Sequence, residues 1–305
     1  MAHQKQRDVS LTQLRYFVRA AEVESMTEAA ELMYMAQSAV STAIANLEAT
    51  LGCPLFIRRR SKGLLLTAEG AEFLERAREV LRAVDDAVDA INVSGIGGTL
   101  VAGCFSTLVP FWLPAIYDGL HAEHPGLALR IRELDAEEIP EALRRRELEA
   151  VLTYGFDYGP DIAFDRIADA AIYAVFDAGH PLGLRDSVTL AELAREPMVL
   201  LDMPGSRNYF LSIFQNAGLT PNIAHRFENY EAVRAMVARG HGYSLLNQRP
   251  RHDMTYDGLK VAMTSVEGVD TPLPVGIASL AGSQLSRKAA AFAHACRRVS
   301  ESRTP

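Results

Sequence analysis

Five short polar residues, Gln37, Ser38, Ser41, Thr42 and Asn46, fall close together and share the outward side of a helix drawn through them. Hydroxyl and carboxamide groups of this size hydrogen-bond base edges when a helix lies in the major groove, and they equally describe the solvated face of a helical bundle. Further on, Arg58, Arg59, Arg60 and Lys62 place four cations between Phe56 and Gly63. Such a run can neutralise phosphates, and it is also the ordinary composition of a solvated loop. Covalent chemistry finds little support. Beyond the head of the chain only Lys260 and Lys288 could form a Schiff base, and neither sits in a recognisable motif. His121 and His124 share a helix face without a carboxylate or cysteine set to complete a metal site. Neither a GxSxG nor a phosphate-binding glycine loop is present. No enzyme activity, cofactor or metal is expected.

The elements that must hold these residues are legible from spacing. Ser10 with Gln13 has capping-box spacing ahead of Leu11, Leu14, Val18 and Ala21. Ser25 with Glu28 offers a second cap, with Thr27 competing, for a short helix carrying Ala29, Ala30 and Met33. A third helix starts near Gln37, turns Val40, Ile44, Leu47 and Leu51 inward, and ends at Gly52 and Pro54. Two short helices, a tight turn and a longer helix describe a helix-turn-helix. After Thr67, Leu74, Ala77, Leu81, Val84, Val88 and Ile91 recur at alternating spacings of three and four, a heptad seam suited to dimerisation. Val80 and Ala87 widen that seam, so a helix lying on its own domain also fits.

Charge sorts along the chain in the same way. The formal net charge of -7 counts against a nucleic-acid binder, yet residues 1–66 carry eight Lys and Arg against six Asp and Glu. The acidic excess lies wholly beyond them. Cys53, Cys104 and Cys296 are odd in number and widely spaced, which argues against a disulfide framework and fits a reducing cytoplasm. The start MAHQKQRDVS has no apolar signal core, so secretion is not indicated. From Asn92 to Tyr117 no residue is charged, but Gly95, Gly97, Gly98, Pro110 and Pro114 interrupt the run, so a buried strand and helix are expected there rather than a membrane span.

From residue 99 on, strand candidates alternate with helices: Leu100 to Cys104, Leu127 to Ile131, Ala150 to Tyr154, Ile172 to Phe176, Met198 to Leu201 and Tyr243 to Leu246. This order predicts an α/β module with mostly parallel sheets and a ligand at the carboxyl ends of strands. Ser106 and Thr107 follow the first strand; their hydroxyl and N–H groups could hold an anion, or cap the next helix, or both. Cys104 lies beside that position and reads as a small buried strand residue ahead of a redox centre.

The run AAELMYMAQSAVSTAIANLEATLGCPLFIRR, followed by Thr67 and Gly70, resembles the winged-helix signature of LysR-type transcriptional regulators, with Ala29, Ala30, Gln37, Ser41, Leu47, Glu48, Gly52, Phe56 and Arg58 in register. Ala36 stands where the family usually has Ser, and Ser38 where Pro is common. The resemblance implies a winged helix-turn-helix DNA-binding domain at 1–66 and a dimerising linker helix at 67–95. At 96–305 it implies an effector-binding domain of two periplasmic-binding-protein-like, Rossmann-like lobes, 99–166 with 269–300 and 167–268. It places Asp135 and Ala136, and Pro204, Gly205, Ser206 and Arg207, at the effector cleft, where Ser206 could donate to a ligand and Arg207 could grip a carboxylate. It implies a cytoplasmic, homodimeric or homotetrameric regulator that binds double-stranded promoter DNA at an interrupted inverted repeat, senses a small molecule and engages RNA polymerase. From the residues alone, a small-molecule binding module whose helical head makes protein contacts is the rival.

Overall fold

The computed structural model describes residues 8–59, 63–91, 96–269 and 272–303. The chain divides into two compact units, Met1–Ser94 and Gly95–Pro305.

The first unit is built from α1 (Leu11–Glu22), α2 (Met26–Leu32), α3 (Gln37–Leu51), β1 (Phe56–Arg59), β2 (Gly63–Leu66) and α4 (Ala68–Ile91). Ser10 and Gln13 form the reciprocal capping box on α1, and Ser25 rather than Thr27 caps α2 by accepting from the Glu28 N–H at 3.2 Å. Ala36 opens α3 with no side-chain cap. Phe17, Val40, Ile44, Leu47 and Leu55 are fully buried, and the Phe17 ring meets those of Phe56 and Phe73, each at 5.3 Å between centroids. Ala29 and Ala30 are buried where α2 turns into the core, which their small side chains permit. β1 and β2 pair antiparallel from Phe56 opposite Leu66 to Arg59 opposite Gly63, forming the wing.

The junction of wing and helix is tied by three residues. The Glu48 carboxylate accepts from the N–H groups of Leu55 (2.7 Å) and Phe56 (3.2 Å), fixing the chain as it leaves α3. The Thr67 hydroxyl donates to the Pro54 carbonyl (2.8 Å) and accepts from the Gly70 N–H (2.9 Å). A Cβ on Gly70 would lie 2.1 Å from the Leu55 carbonyl oxygen, so only glycine lets α4 approach the wing.

The apolar stripe on α4 is divided. Phe73, Leu74, Ala77 and Leu81 pack against the core of the same unit, and Arg78 lies 3.6 Å from Glu22 on α1. Val84 is half-buried, while Val88 and Ile91 are 54% and 81% exposed. The seam expected to face a partner along its whole length is therefore covered by its own head over the first half.

The second unit holds two lobes. In the first, β3 (Gly98–Phe105), α5 (Val109–Glu123), β4 (Leu127–Leu134), α6 (Glu138–Arg144), β5 (Val151–Tyr154) and β6 (Ile162–Ala170) are completed by the late β13 (Leu273–Leu280) and α10 (Arg287–Arg303). Their sheet has the order β4-β3-β5-β13-β6. In the second lobe are β7 (Tyr173–Asp177), a 3-10 turn at Pro181–Leu184, β8 (Ser187–Thr189), α7 (Leu190–Leu193) and β9 (Pro197–Leu201). α8 (Ser206–Asn216), β10 (Asn222–Phe227), α9 (Tyr230–Ala238), β11 (Ser244–Leu246) and β12 (Val261–Glu267) complete it. A four-stranded sheet runs β11-β7-β12-β8, and β10-β9 joins it through a parallel bridge between Met198 and Tyr243.

Two expectations are corrected here. The sheets are mixed: β3 pairs parallel with β4 and β5, but β13 runs antiparallel to both β5 and β6, and β7 runs antiparallel to β11 and β12. The antiparallel pairs involve strands on the segments that carry the chain between lobes, which no helix crossover precedes. The first crossing also comes after Ala170 rather than near Arg166, because β6 stays paired with β13 up to Ala170 opposite Leu273. The return falls between Glu267 and Leu273, of which residues 270 and 271 lie outside the described residues. Among the described residues no helix is long and apolar enough to cross a membrane. The uncharged run from Asn92 enters β3 and α5, although its residues 92–95 lie outside the described residues.

Candidate functional site

On the first unit, α3 turns Val40, Ile44 and Leu47 into the core and leaves Gln37, Ser38, Thr42 and Asn46 exposed, with Ser41 half-buried between them. The polar row therefore stands on a rigid base, one face of a 15-residue helix anchored by its opposite face. Arg58 and Arg59 lie on β1 opposite Leu64 and Gly63, while Arg60 and Lys62 lie outside the described residues. Leu32 at the end of α2 and Tyr34 and Met35 in the turn to α3 are exposed, Tyr34 at 96%, a feature that apolar periodicity does not flag because the run passes into a turn.

On the second unit, a small cavity opens between the lobes. Thr107 after β3, Tyr154 at the end of β5 and Leu273 at the start of β13 line it from the first lobe. The second lobe contributes Leu201 at the end of β9, Ser206, Tyr209 and Phe210 from the first turns of α8, Tyr230 at the start of α9, Leu246 at the end of β11, and then Asn247 and Gln248. Carboxyl ends of strands and amino ends of helices converge there, as open α/β sheets dictate.

Polar contacts organise the walls. The hydroxyls of Thr107 and Tyr154 lie 3.1 Å apart, and those of Tyr230 and Tyr173 both donate to the Gln248 carbonyl, at 2.5 and 2.8 Å. The Asn247 amide donates to the Ala170 carbonyl at 3.2 Å, holding the segment after β11 against the lobe crossing. Burial raises the phenol pKa values of Tyr154, Tyr209 and Tyr230, and pushes Tyr173 up to about 12, so every one stays a neutral donor near pH 7. Phe111 of the first lobe meets Tyr230 of the second edge to face at 5.6 Å.

Of the expected effector residues, Thr107 and Ser206 line the cavity and the others do not. Ser106 directs both its hydroxyl and its N–H at the Leu134 carbonyl, at 3.2 and 3.0 Å, tying β3 to β4. Neither Ser106 nor Thr107 caps α5, which has no side-chain cap. Asp135 accepts from the N–H groups of Glu137 and Glu138 at the start of α6. Gly205, at φ +84°, approaches the first lobe so closely that a Cβ would sit 2.6 Å from the Ala136 Cβ and 2.8 Å from the Phe156 ring, so Ala136 and Gly205 form a contact between lobes. Pro204 belongs to the turn that delivers Gly205. Arg207 is turned to Asp202 at 3.1 Å, and Asp202 also holds Arg226 at 3.3 Å, so its guanidinium is committed away from the cavity. Sequence reasoning missed Tyr154, Tyr209, Tyr230, Asn247 and Gln248. Tyr154, Asn247 and Gln248 were within reach of the rule that ligands sit where strands end, since two expected strands stop beside them.

The cysteines carry no chemistry at this site. Cys104 and Cys296 are buried, burial raises both thiol pKa values, and Cys104 Sγ makes only a weak contact to the Phe105 carbonyl at 3.6 Å. His121 stacks on Tyr117, and no cluster of three or more metal-ligating side chains occurs among the described residues.

Comparison with known proteins decides the family. The model of the LysR substrate binding domain matches residues 94–301, and that of the bacterial regulatory helix-turn-helix protein, lysR family, matches residues 11–71. The chain belongs to the LysR family of transcriptional regulators. It is 31% identical over 244 residues to the uncharacterized HTH-type transcriptional regulator YvbU of Bacillus subtilis, covering 79% of this chain and 82% of that protein. Among solved structures it is similar to HinK, a LysR family transcriptional regulator from Pseudomonas aeruginosa, at 36% identity and a TM-score of 0.64, covering 95% and 98% of the two chains. The C-terminal domain of a probable LysR family regulator from Rhodococcus sp. matches 66% of this chain and 99% of its own at 35% identity, with a TM-score of 0.62. The regulator thus couples a DNA-binding helix-turn-helix head to an effector-binding module, and its family comprises transcriptional regulators rather than enzymes.

Proposed function

We propose that the regulator works in the cytoplasm as a homodimer or homotetramer. In this reading α3 of each head reads one half of an interrupted inverted repeat in a promoter, and the wing cations hold the phosphates. The polar row on α3, exposed over a buried apolar face, carries the reading. Heads pair through the exposed end of α4, where Val88 and Ile91 offer apolar surface that the head leaves uncovered. A small effector enters the cavity between the lobes, and differential affinity for their closed arrangement changes the spacing of the heads and the access of RNA polymerase. No cofactor takes part.

A mobility-shift titration with the DNA upstream of the regulator's own gene tests this. Retention at low salt that a scrambled duplex does not match supports it, and folded protein that retains neither duplex sinks it.

A further inference from the structure

We propose that a small oxyanion binds where the two lobes touch, beside the cavity, held between Arg303 of the first lobe and Arg251 of the second. The ligand class is phosphate, sulfate or a carboxylate, free in solution or carried as the acidic group of a larger molecule. This site does not depend on what fills the cavity.

Both arginines hang from one aromatic contact, that of the Phe111 ring of α5 with the Tyr230 ring of α9 at 5.6 Å. On the first-lobe side, the Arg303 guanidinium at the end of α10 donates to the Phe111 carbonyl and lies over the Trp112 ring, 4.7 Å from its centroid. On the second-lobe side, the Tyr230 hydroxyl donates to the Gln248 carbonyl at 2.5 Å, and Arg249, Pro250 and Arg251 follow directly. Arg251 thus reaches Arg303 from the opposite lobe; burial and then the nearby Arg251 charge lower the Arg303 pKa. Arg249 adds a third cation, 6.0 Å from the centre of the Tyr173 ring.

No carboxylate offsets these charges: among the described residues Arg249, Arg251 and Arg303 make no ion pair. The acids closest in sequence to Tyr230, Arg251 and Arg303 are engaged or turned away. Glu231 binds Arg234 and the Tyr256 N–H, both at 2.6 Å, and Asp253 lies 4.0 Å from Lys260. Glu301, two positions before Arg303, falls on a different side of α10. The spare hydrogen-bonding capacity is that of donors. A guanidinium carries five N–H groups in a planar fork, Arg303 spends one on Phe111, and the Trp112 indole N–H is buried without an acceptor. Two guanidinium groups approaching from opposite lobes repel each other. An oxyanion that accepts from both replaces the repulsion with charge-assisted hydrogen bonds and ties the lobes together.

Trp112 is the single tryptophan of the chain, so its emission reports on Arg303 directly. The test titrates the full-chain protein with inorganic phosphate, sulfate, succinate and benzoate at constant ionic strength set with chloride, as wild type, Arg251→Gln and Arg303→Gln. Wild type should show a saturable change in Trp112 emission, with the midpoint at least about ten-fold higher in each variant. Arg251→Gln is the decisive variant, because that side chain is exposed, its loss leaves Arg303 on the indole, and it should not lower the melting temperature. Saturation by phosphate or sulfate supports a free anion as the ligand. Saturation by succinate or benzoate alone, with the same dependence on Arg251, supports an acidic group on an organic molecule. A midpoint unchanged in Arg251→Gln, or no saturable response to any of the four probes at tens of millimolar concentration, would overturn the proposal.

Discussion

Glu48, Thr67 and Gly70 carry much of the likeness to the family signature, and none of them faces the polar row of α3. Glu48 satisfies two N–H groups beyond α3, Thr67 bridges Pro54 and Gly70, and Gly70 lets α4 pass the Leu55 carbonyl. Their spacing was legible as a motif; their roles were not, because each depends on a contact between segments that only the fold brings together. Gly70→Ala should destabilise the head by more than about 2 kcal/mol, and Glu48→Ala by about 1–3 kcal/mol, both read from urea unfolding followed in the head. Gln37 shows the opposite case: exposed and without structural duty, it can be replaced by Ala at no cost in stability. The same change should lower discrimination at one base pair by about 1–3 kcal/mol in competition binding. Arg207 shows why a lone residue type misleads. Its guanidinium suits a carboxylate, but Asp202 five positions back, in the turn after β9, takes it first.

Among the elements, the helices of the head and the first strands of the effector module were readable because each has a strong local period. β6 and β10 were not. Both lie at sheet edges, with polar and charged residues facing water, as in IAFDRIADA and NIAHRF, and this removes the apolar run that marks a buried strand. β13 was missed for another reason. It pairs with β5 and β6, residues more than a hundred positions earlier, and no local pattern announces a strand that returns to the first lobe. The α4 stripe was seen in full, yet one period cannot tell which of two partners covers it. Leu81→Ala should destabilise the head by about 2–5 kcal/mol, while Val88→Asp with Ile91→Asp should leave its unfolding midpoint unchanged and shift the sedimentation profile towards monomer. In the wing, Arg59→Ala with Arg60→Ala should reduce the slope of log affinity against log salt by about 2, equally on all DNA sequences.

At the scale of the molecule, the net charge of -7 is distributed so that, of the head, α4 and the effector module, only the head is net positive, and the acidic excess belongs to the other two. The module's core has its own pH signature. Burial raises the pKa values of Tyr154, Tyr173, Tyr209 and Tyr230 above the ordinary value of 10.0, so the folded state keeps protons that the unfolded chain releases. The contribution of Tyr173 is complete below pH 10 and declines as pH rises from 10 towards 12, its folded value, by at most about 1.4 kcal/mol per pH unit, and the other three act in the same direction. Unfolding midpoints measured across that interval check it, with Tyr173→Phe expected to flatten the decline. The central claim is that the exposed polar face of α3 reads DNA. Fluorescence anisotropy with the regulator's own upstream region, wild type beside Gln37→Ala with Asn46→Ala, tests it most directly. The account predicts that the wild type prefers that duplex to a scrambled one by about a thousand-fold or more, and that the double variant loses the preference while keeping its fold. Equal affinity of the wild type for both duplexes, or an unchanged preference in the variant, would contradict it.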